Sequence, residues 1–200
     1  MENKQIQLLE TYEKLLVSWD KTHNLISLSQ RKNLKQHIED SLSVSSMVGD
    51  FVVDLGSGGG LPGIPLAIAN PNKQFLLVES NTKKASFLLN TVTKLDLKNT
   101  EVINNRIENI DHSNFPDCFD IVSRAVGSTE TNIALTAELL NKKGVHLKLM
   151  KTEEQFCKEK LPTGFSVKKI DKFPSKTKDK TRILVTIEKV QPVSYTHLTL

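Results

Sequence analysis

The sequence predicts an α/β fold: a mainly parallel seven-stranded sheet wrapped by helices, closed by an antiparallel hairpin and preceded by an N-terminal helical extension. Three observations predict it. From Phe51 onward, short apolar runs alternate with amphipathic stretches of helical period. Five of the nine glycines, Gly56, Gly58, Gly59, Gly60 and Gly63, fall within eight residues, between the first apolar run and the next amphipathic stretch. The last two apolar runs have no helical stretch between them. Alternation at this spacing implies a parallel sheet with helical crossovers, and the final pair implies a hairpin at one sheet edge.

Each element has its own signal. Leu8, Tyr12, Leu15, Leu16 and Trp19 recur at three- and four-residue spacing and predict a first helix through about Trp19. Leu34, Ile38 and Leu42, one turn apart, predict a second. Phe51–Leu55 is a short apolar run entering a tight turn, so it reads as a buried strand. Leu61–Asn70 reads as a helix with Pro62 and Pro65 near its start, where a missing N–H costs least. Gln74–Glu79 is the second strand. Ala85, Leu88, Leu89, Val92 and Leu95 mark a helix capped by Ser80 or Asn81. Thr100–Asn104 and Phe119–Ser123 are strands separated by a loop with Pro116, Thr129–Leu140 is helical, Gly144–Met150 is a strand and Thr152–Lys160 a short helix. Phe165–Ile170 and Arg182–Lys189 are the hairpin strands, joined by the Lys-rich loop Asp171–Lys180. These elements divide the chain into an extension over residues 1–48, a core over 49–190 and a tail over 191–200. The tail carries no charge and buries no obvious face, so it is expected to be non-native or disordered and dispensable.

Composition narrows the class. The 200 residues are 38% hydrophobic and 25% charged, which excludes disordered and collagen-like chains and suits one domain with a sizeable core. No apolar run approaches the ~20 residues that span a bilayer, and the N-terminus lacks a signal peptide's apolar stretch. Cys118 and Cys157 are too few for a disulfide framework or a Cys-based zinc site. The expectation is a cytoplasmic protein with no membrane partner, no metal, and a monomeric state. Charge is uneven: residues 1–141 hold 13 basic and 17 acidic residues, whereas 142–190 hold 14 basic and 6 acidic. The basic quarter is either a solvated Lys-rich face or a surface for a polyanion.

The glycine turn is the strongest functional signal. A strand, a glycine-rich turn and a helix let backbone approach a ligand closely and offer free N–H groups. Two patterns fit. Gly58-x-Gly60-x-x-Gly63 matches the dinucleotide fingerprint, with Glu79 placed 21 residues after Gly58 as a ribose-binding acid. Read from Asp54, the same segment is D-x-G-x-G-x-G, the loop of S-adenosylmethionine-dependent methyltransferases, with Glu79 again able to accept from ribose hydroxyls. The second register is favoured. Asp54 lies in the last turn of the strand, where a carboxylate would repel a pyrophosphate but attract a zwitterion's ammonium group. The chain is also too short for a two-domain dehydrogenase. Gly58→Val is then expected to abolish ligand binding by filling its space while leaving the fold largely intact.

The segment Asp54-Leu55-Gly56-Ser57-Gly58-Gly59-Gly60-Leu61-Pro62-Gly63-Ile64-Pro65-Leu66-Ala67-Ile68 resembles the signature of the RsmG (GidB) family. These are bacterial S-adenosylmethionine-dependent enzymes that methylate guanine N7 in 16S ribosomal RNA. Trp19-Asp20-Lys21-x-x-Asn24-Leu25, His37-Ile38-x-Asp40-Ser41, Leu77-Val78-Glu79-Ser80-x-x-Lys83-Lys84-x-x-Phe87-Leu88 and Ser123-Arg124-Ala125 match as well. The resemblance spans roughly residues 8–190. The chain departs from the pattern at Asp20, where the family usually has Asn, and at Lys148, which adds a charge to an apolar strand ahead of Met150-Lys151-Thr152. The resemblance implies a Rossmann-like class I methyltransferase fold. It also implies that Gly56 and Leu61 contact S-adenosylmethionine from the loop, that Ile107 and Glu108 bracket the adenine, and that Arg124 completes the pocket as the catalytic residue. All these positions lie at C-terminal ends of expected parallel strands, where open α/β sheets bind ligands. The implied partner is 16S rRNA or the small-subunit ribonucleoprotein.

What is missing also speaks to the acceptor. Methyl transfer from a sulfonium is an in-line displacement, so alignment is the main requirement. There is no Asn-Pro-Pro-Tyr-type segment of the kind used on exocyclic amines, and neither cysteine has an evident basic partner to become the thiolate that a pyrimidine carbon requires. Guanine N7 has an in-plane lone pair and no proton to lose, so it needs no general base. His37 reads as a structural hydrogen-bonding residue, and His23, His112, His146 and His197 show no metal-ligand spacing. Lys176, Lys178 and Lys180, with their lysine neighbours, are the expected RNA contacts, and the segment around Lys32 and Lys35 is the next place to look. Three other readings stay open on the residues alone: the same cofactor with a small-molecule or protein acceptor, a nicotinamide-dependent oxidoreductase, and an RNA-binding ribosome-assembly factor without catalysis.

Overall fold

The structure is a computed structural model that describes residues 1–174 and 181–190. Lys176, Lys178, Lys180 and the tail Gln191–Leu200 lie outside the described residues. The sheet has seven strands: β1 (Phe51–Leu55), β2 (Gln74–Val78), β3 (Thr100–Ile103), β4 (Phe119–Arg124), β5 (Val145–Thr152), β6 (Phe165–Phe173) and β7 (Arg182–Lys189). Their spatial order is β3-β2-β1-β4-β5-β7-β6. The first five pair in parallel, and β7 inserts antiparallel between β5 and β6. Strand order reverses between β1 and β4, so a crevice opens beyond their carboxyl ends.

The helices are α1 (Asn3–His23), α2 (Leu28–Lys32), α3 (Leu34–Ser43), α4 (Gly63–Ala69), α5 (Thr82–Lys94), α6 (Thr129–Thr136) and α7 (Glu153–Cys157). Several differ from expectation. α1 runs a turn beyond Trp19, and its C-cap Asn24 takes the left-handed conformation that ends a helix cleanly. α2 was not expected. It is one short turn held by a Ser27–Gln30 capping box, too brief to carry a hydrophobic period. The stretch Thr129–Leu140 is helical only to Thr136, with Leu139–Asn141 continuing as a tighter 3-10 turn. Asn81, rather than Ser80, caps α5, accepting from the Lys83 and Lys84 backbone N–H groups. β6 extends to Phe173, because pairing with β7 continues past the apolar run.

Alternation along the strands sorts side chains into two cores. Val52, Phe75, Leu77, Val122 and Leu184 pack with Tyr12, Leu16, Ile38, Ile64 and Leu88 from α1, α3, α4 and α5. Val53, Leu76, Ile121, Leu147 and Val185 pack on the other face with Ile107, Ile133 and Leu139. Tyr12 and Leu16 are fully buried, each contributing roughly 1.5–3 kcal/mol by area. The helical extension therefore shares its core with the sheet.

The two departures from the family pattern are both paired. Asp20 is buried against the Arg31 guanidinium at 2.5 Å, and it accepts from the Ile26 backbone N–H at 3.0 Å, closing the turn after α1. Lys148 projects to Asp120 at 3.0 Å and donates to the Met47 carbonyl, while Asp120 accepts from the Gly49 N–H at 2.6 Å. A charge within an apolar strand is tolerated because its partner sits on the adjacent strand and the chain entering β1 covers both. Among the described residues, no helix is long and apolar enough to cross a membrane.

Candidate active site

The glycine turn leaves β1 at the crevice. Gly63 opens α4 pressed against β1: a Cβ there would lie 2.5 Å from Asp54 Oδ2, so only glycine lets the helix approach. The reward for that approach is a 3.0 Å hydrogen bond from the Gly63 N–H to Asp54 Oδ2. Asp54 Oδ1 is buried with no hydrogen-bond partner among the described residues. Burial pushes the Asp54 carboxyl up to about 7; the Gly63 N–H, the Ser57 hydroxyl and Arg124 oppose this, while the nearby Glu79 charge adds to it. A half-satisfied buried acid of this kind calls for a cationic partner.

Gly58 has φ +56°, and a Cβ there would meet nothing closer than the Gly56 carbonyl at 3.7 Å. Its glycine is demanded by backbone conformation, and the space beyond it is open. The Gly58 N–H donates to Glu79 Oε2 at 2.8 Å, and the Asn81 N–H donates to Glu79 Oε1 at 2.8 Å. Glu79 thus braces the glycine turn across 21 residues of sequence, a role that spacing alone did not show. Each carboxylate oxygen keeps a lone pair for a hydroxyl. The turn is supported from behind by the extension: the buried Tyr12 hydroxyl donates to the Gly59 carbonyl at 2.7 Å.

The remaining expected residues are distributed around this turn. Leu61 is buried in the core that holds α1 and α4. Gly56 backs onto Val126, whose Cγ2 would lie 2.7 Å from a Cβ at that position. Ile107 lies on the 3-10 turn Ile107–Asn109 after β3, buried against the opposite core, and Glu108 beside it is exposed. The structure brings Asp54, Gly58 and Glu79 together directly. It places Arg124 within electrostatic reach of Asp54 and Tyr12.

A cleft of about 560 Å³ adjoins the turn, sharing Val126 as wall. Arg124, at the end of β4, lines it together with His37, Asn132, Lys151, Gln155, Glu159 and Arg182. Arg124 donates to the His37 carbonyl at 3.0 Å and, through its other terminal nitrogen, to His37 Nδ1. Burial first, then Arg124 and Arg182, lower His37 to about 4, so it is neutral at pH 7. Ala125 follows with φ +61°, a conformation costing about 1–2 kcal/mol in a residue with a Cβ. Such strain concentrates at functional sites. Lys151 donates to Glu159 Oε1 at 2.8 Å and to the Gly127 carbonyl at 3.2 Å. Glu159 Oε2 accepts from the Thr129 N–H at 2.8 Å and from its hydroxyl. Burial alone would raise the Glu159 carboxyl, but these donors outweigh it and hold it below its usual range. Sequence reasoning missed Glu159 and Lys151 as a pair, because they sit on different elements and belong to no motif.

Residues 5–184 match the family described as rRNA small subunit methyltransferase G, GidB. The chain belongs to this family. A ribosomal RNA small subunit methyltransferase G from Hydrogenovibrio crunogenus is 36% identical over 184 residues, covering 90% of this chain and 83% of the relative. Its counterpart from Legionella pneumophila is 42% identical over 143 residues, covering 70% and 67%. Among solved structures, magnesium protoporphyrin IX methyltransferase from Synechocystis, with bound S-adenosylmethionine, superposes with a TM-score of 0.58 at 14% identity over 94% of this chain and 99% of that one. An rRNA methylase from Streptococcus thermophilus gives a TM-score of 0.50 at 17% identity, over 76% and 96%. Those likenesses establish the Rossmann-like methyltransferase fold for this family member.

Proposed function

We propose that this family member transfers the methyl group of S-adenosylmethionine to N7 of a guanine in 16S ribosomal RNA. It is an S-adenosylmethionine-dependent rRNA methyltransferase, and the observation that carries the reading is the buried, half-satisfied Asp54 beneath an open glycine turn. The residues fit the cofactor. Asp54 supplies negative charge for an ammonium group, Glu79 retains lone pairs for ribose hydroxyls, and Gly56, Gly58 and the backbone of Leu61, whose side chain is buried in the core, are the surface proposed beneath the ligand. Ile107 and Glu108 flank the end of β3, where an adenine would sit, and Arg124 lines the cleft that adjoins the glycine turn. Bound S-adenosylmethionine supplies an electrophilic methyl group on a sulfonium.

The cleft supports an acceptor that loses no proton. Its two titratable groups with base character are both engaged: His37 Nδ1 accepts from Arg124, and Glu159 accepts from Lys151 and Thr129. N7 needs neither. What the chain supplies is alignment, with Arg124 held in place by two bonds to α3.

Much of the basic quarter is paired with acids, although Lys142, Lys143, Lys160 and Lys189 make no ion pair among the described residues. Lys168 pairs with Glu188 at 2.8 Å, Lys169 with Asp171 at 2.6 Å and Lys172 with Glu153 at 3.0 Å. Lys32 and Lys35, on the exposed rim of α2 and α3 beside the cleft, make no ion pair among the described residues. Phosphate contact is therefore assigned first to that rim, with the small-subunit particle as partner and the enzyme acting as a monomer. Incubation with labelled S-adenosylmethionine and RNA from small subunits, followed by nucleoside analysis, tests the reading. N7-methylguanosine is expected, and label in any other nucleoside, or in protein alone, refutes it.

A further inference from the structure

We propose that His37 donates its Nε2–H to O6 of the target guanine and thereby selects guanine over adenine beside the reacting N7. The inference rests on the guanine acceptor proposed above and names the group that reads it. On the edge of the base that carries N7, guanine presents O6 as an acceptor, whereas adenine presents an amino donor at the same position. A donor fixed in the cleft therefore tells the two apart.

The geometry makes His37 such a donor. Its Nδ1 faces the Arg124 guanidinium, which has only N–H groups to offer, so Nδ1 must be the unprotonated nitrogen. With the ring held neutral, the proton then sits on Nε2, and that nitrogen has no partner among the described residues. His37 is half-buried and lines the cleft. Its orientation is pinned twice, because Arg124 also bonds the His37 carbonyl. Of the other cleft donors, the Ser123 hydroxyl is buried at the strand end and Arg182 faces the Asp40 carboxylate. Lys151 is divided between Glu159 and Gly127, and the Asn132 amide donates to the Ser128 carbonyl. Gln155 keeps an amide N–H on the five-residue α7, so it is the donor that the test must set against His37. A strand-end arginine that sets a histidine's tautomer gives the cleft a donor of fixed polarity, which is what discrimination requires.

The test uses small-subunit RNA in which the methylated guanosine, located by nucleoside analysis, is replaced by 2-aminopurine, which keeps N7 and lacks O6. N1 changes too, so comparison across enzyme variants isolates the O6 contact. In His37→Asn the amide oxygen stands in for Nδ1 toward Arg124 and the distal donor is lost; in His37→Gln a distal donor is retained. The wild type is expected to prefer guanine by roughly tenfold in kcat/KM, the worth of one well-placed hydrogen bond. His37→Asn should bring that ratio to near unity without changing S-adenosylhomocysteine affinity, and His37→Gln should restore part of it. Equilibrium affinities for the two RNAs with S-adenosylhomocysteine bound should show the same pattern, and they remain measurable in a slow variant. An unchanged ratio in His37→Asn overturns the proposal. So does a ratio that collapses in Gln155→Ala but survives in His37→Asn. Absence of N7-methylguanosine from the wild-type reaction would instead defeat the acceptor reading itself, and this inference with it.

Discussion

Asp54 makes cofactor affinity depend on pH in a direction that can be worked out beforehand. Its carboxyl titrates at about 7 in the free protein, chiefly because it is buried, against 3.8 for an ordinary aspartate. If the ionised form binds the cofactor's ammonium group, affinity scales with the ionised fraction. That fraction is about 0.09 at pH 6 and about 0.76 at pH 7.5, so the Kd for S-adenosylhomocysteine should fall about eightfold, or about 1.2 kcal/mol. The ligand's ammonium is that of a free amino acid, more basic than a peptide's terminal amine, and stays charged across this window; His37 at about 4 does not change state within it. Titration calorimetry in buffers of different ionisation enthalpy should also show close to one proton released per ligand at pH 6. Stability of the free protein runs the opposite way. A group whose folded pKa is raised favours folding fully below the unfolded pKa, and that contribution is lost as pH rises toward 7. Asp54→Asn should remove the pH dependence while lowering affinity. A wild-type Kd that is flat from pH 6 to 7.5, or a slope that survives in Asp54→Asn, would refute the pairing of this carboxylate with the ligand.

Three further outcomes are expected. Gly58→Val should abolish S-adenosylhomocysteine binding by filling open space beside the turn; left-handed backbone costs about 1–2 kcal/mol, so the thermal midpoint should fall by roughly 3–8 °C with the fold intact. Lys148→Met leaves the buried Asp120 without its cation and should cost about 3 kcal/mol in urea unfolding, whereas Lys148→Met combined with Asp120→Asn should recover much of that loss. For RNA, Lys32→Gln with Lys35→Gln should weaken binding and flatten its salt dependence by about two units of slope, while Lys168→Gln, Lys169→Gln and Lys172→Gln together should change it less, since those lysines already face carboxylates. Filter binding across a salt series separates the two faces, and a larger effect from the second set would reverse the assignment.

The sequence by itself determined what depends on near neighbours along the chain. The short apolar runs and the amphipathic stretches between them required a parallel sheet, and the missing helix before Arg182–Lys189 required the closing hairpin. The run from Asp54 to Ile68 carried the ligand class, because a tight turn that approaches a ligand needs glycines at fixed local spacing. Helix ends were less legible: α2 is too short to show a period, and α6 tightens to a 3-10 turn where the sheet core receives Leu139 and Leu140. Only the tertiary structure decided which distant side chains meet. Glu79 holds the Gly58 N–H, Arg124 meets His37 across 87 residues, and Lys148 finds Asp120 on the neighbouring strand. The same reason explains the lysine-rich quarter, whose net charge reads as a binding face until the structure pairs many of its described members with acids. Charge and polarity are properties of a residue, whereas the partner that satisfies or leaves free a polar group is a property of the folded chain.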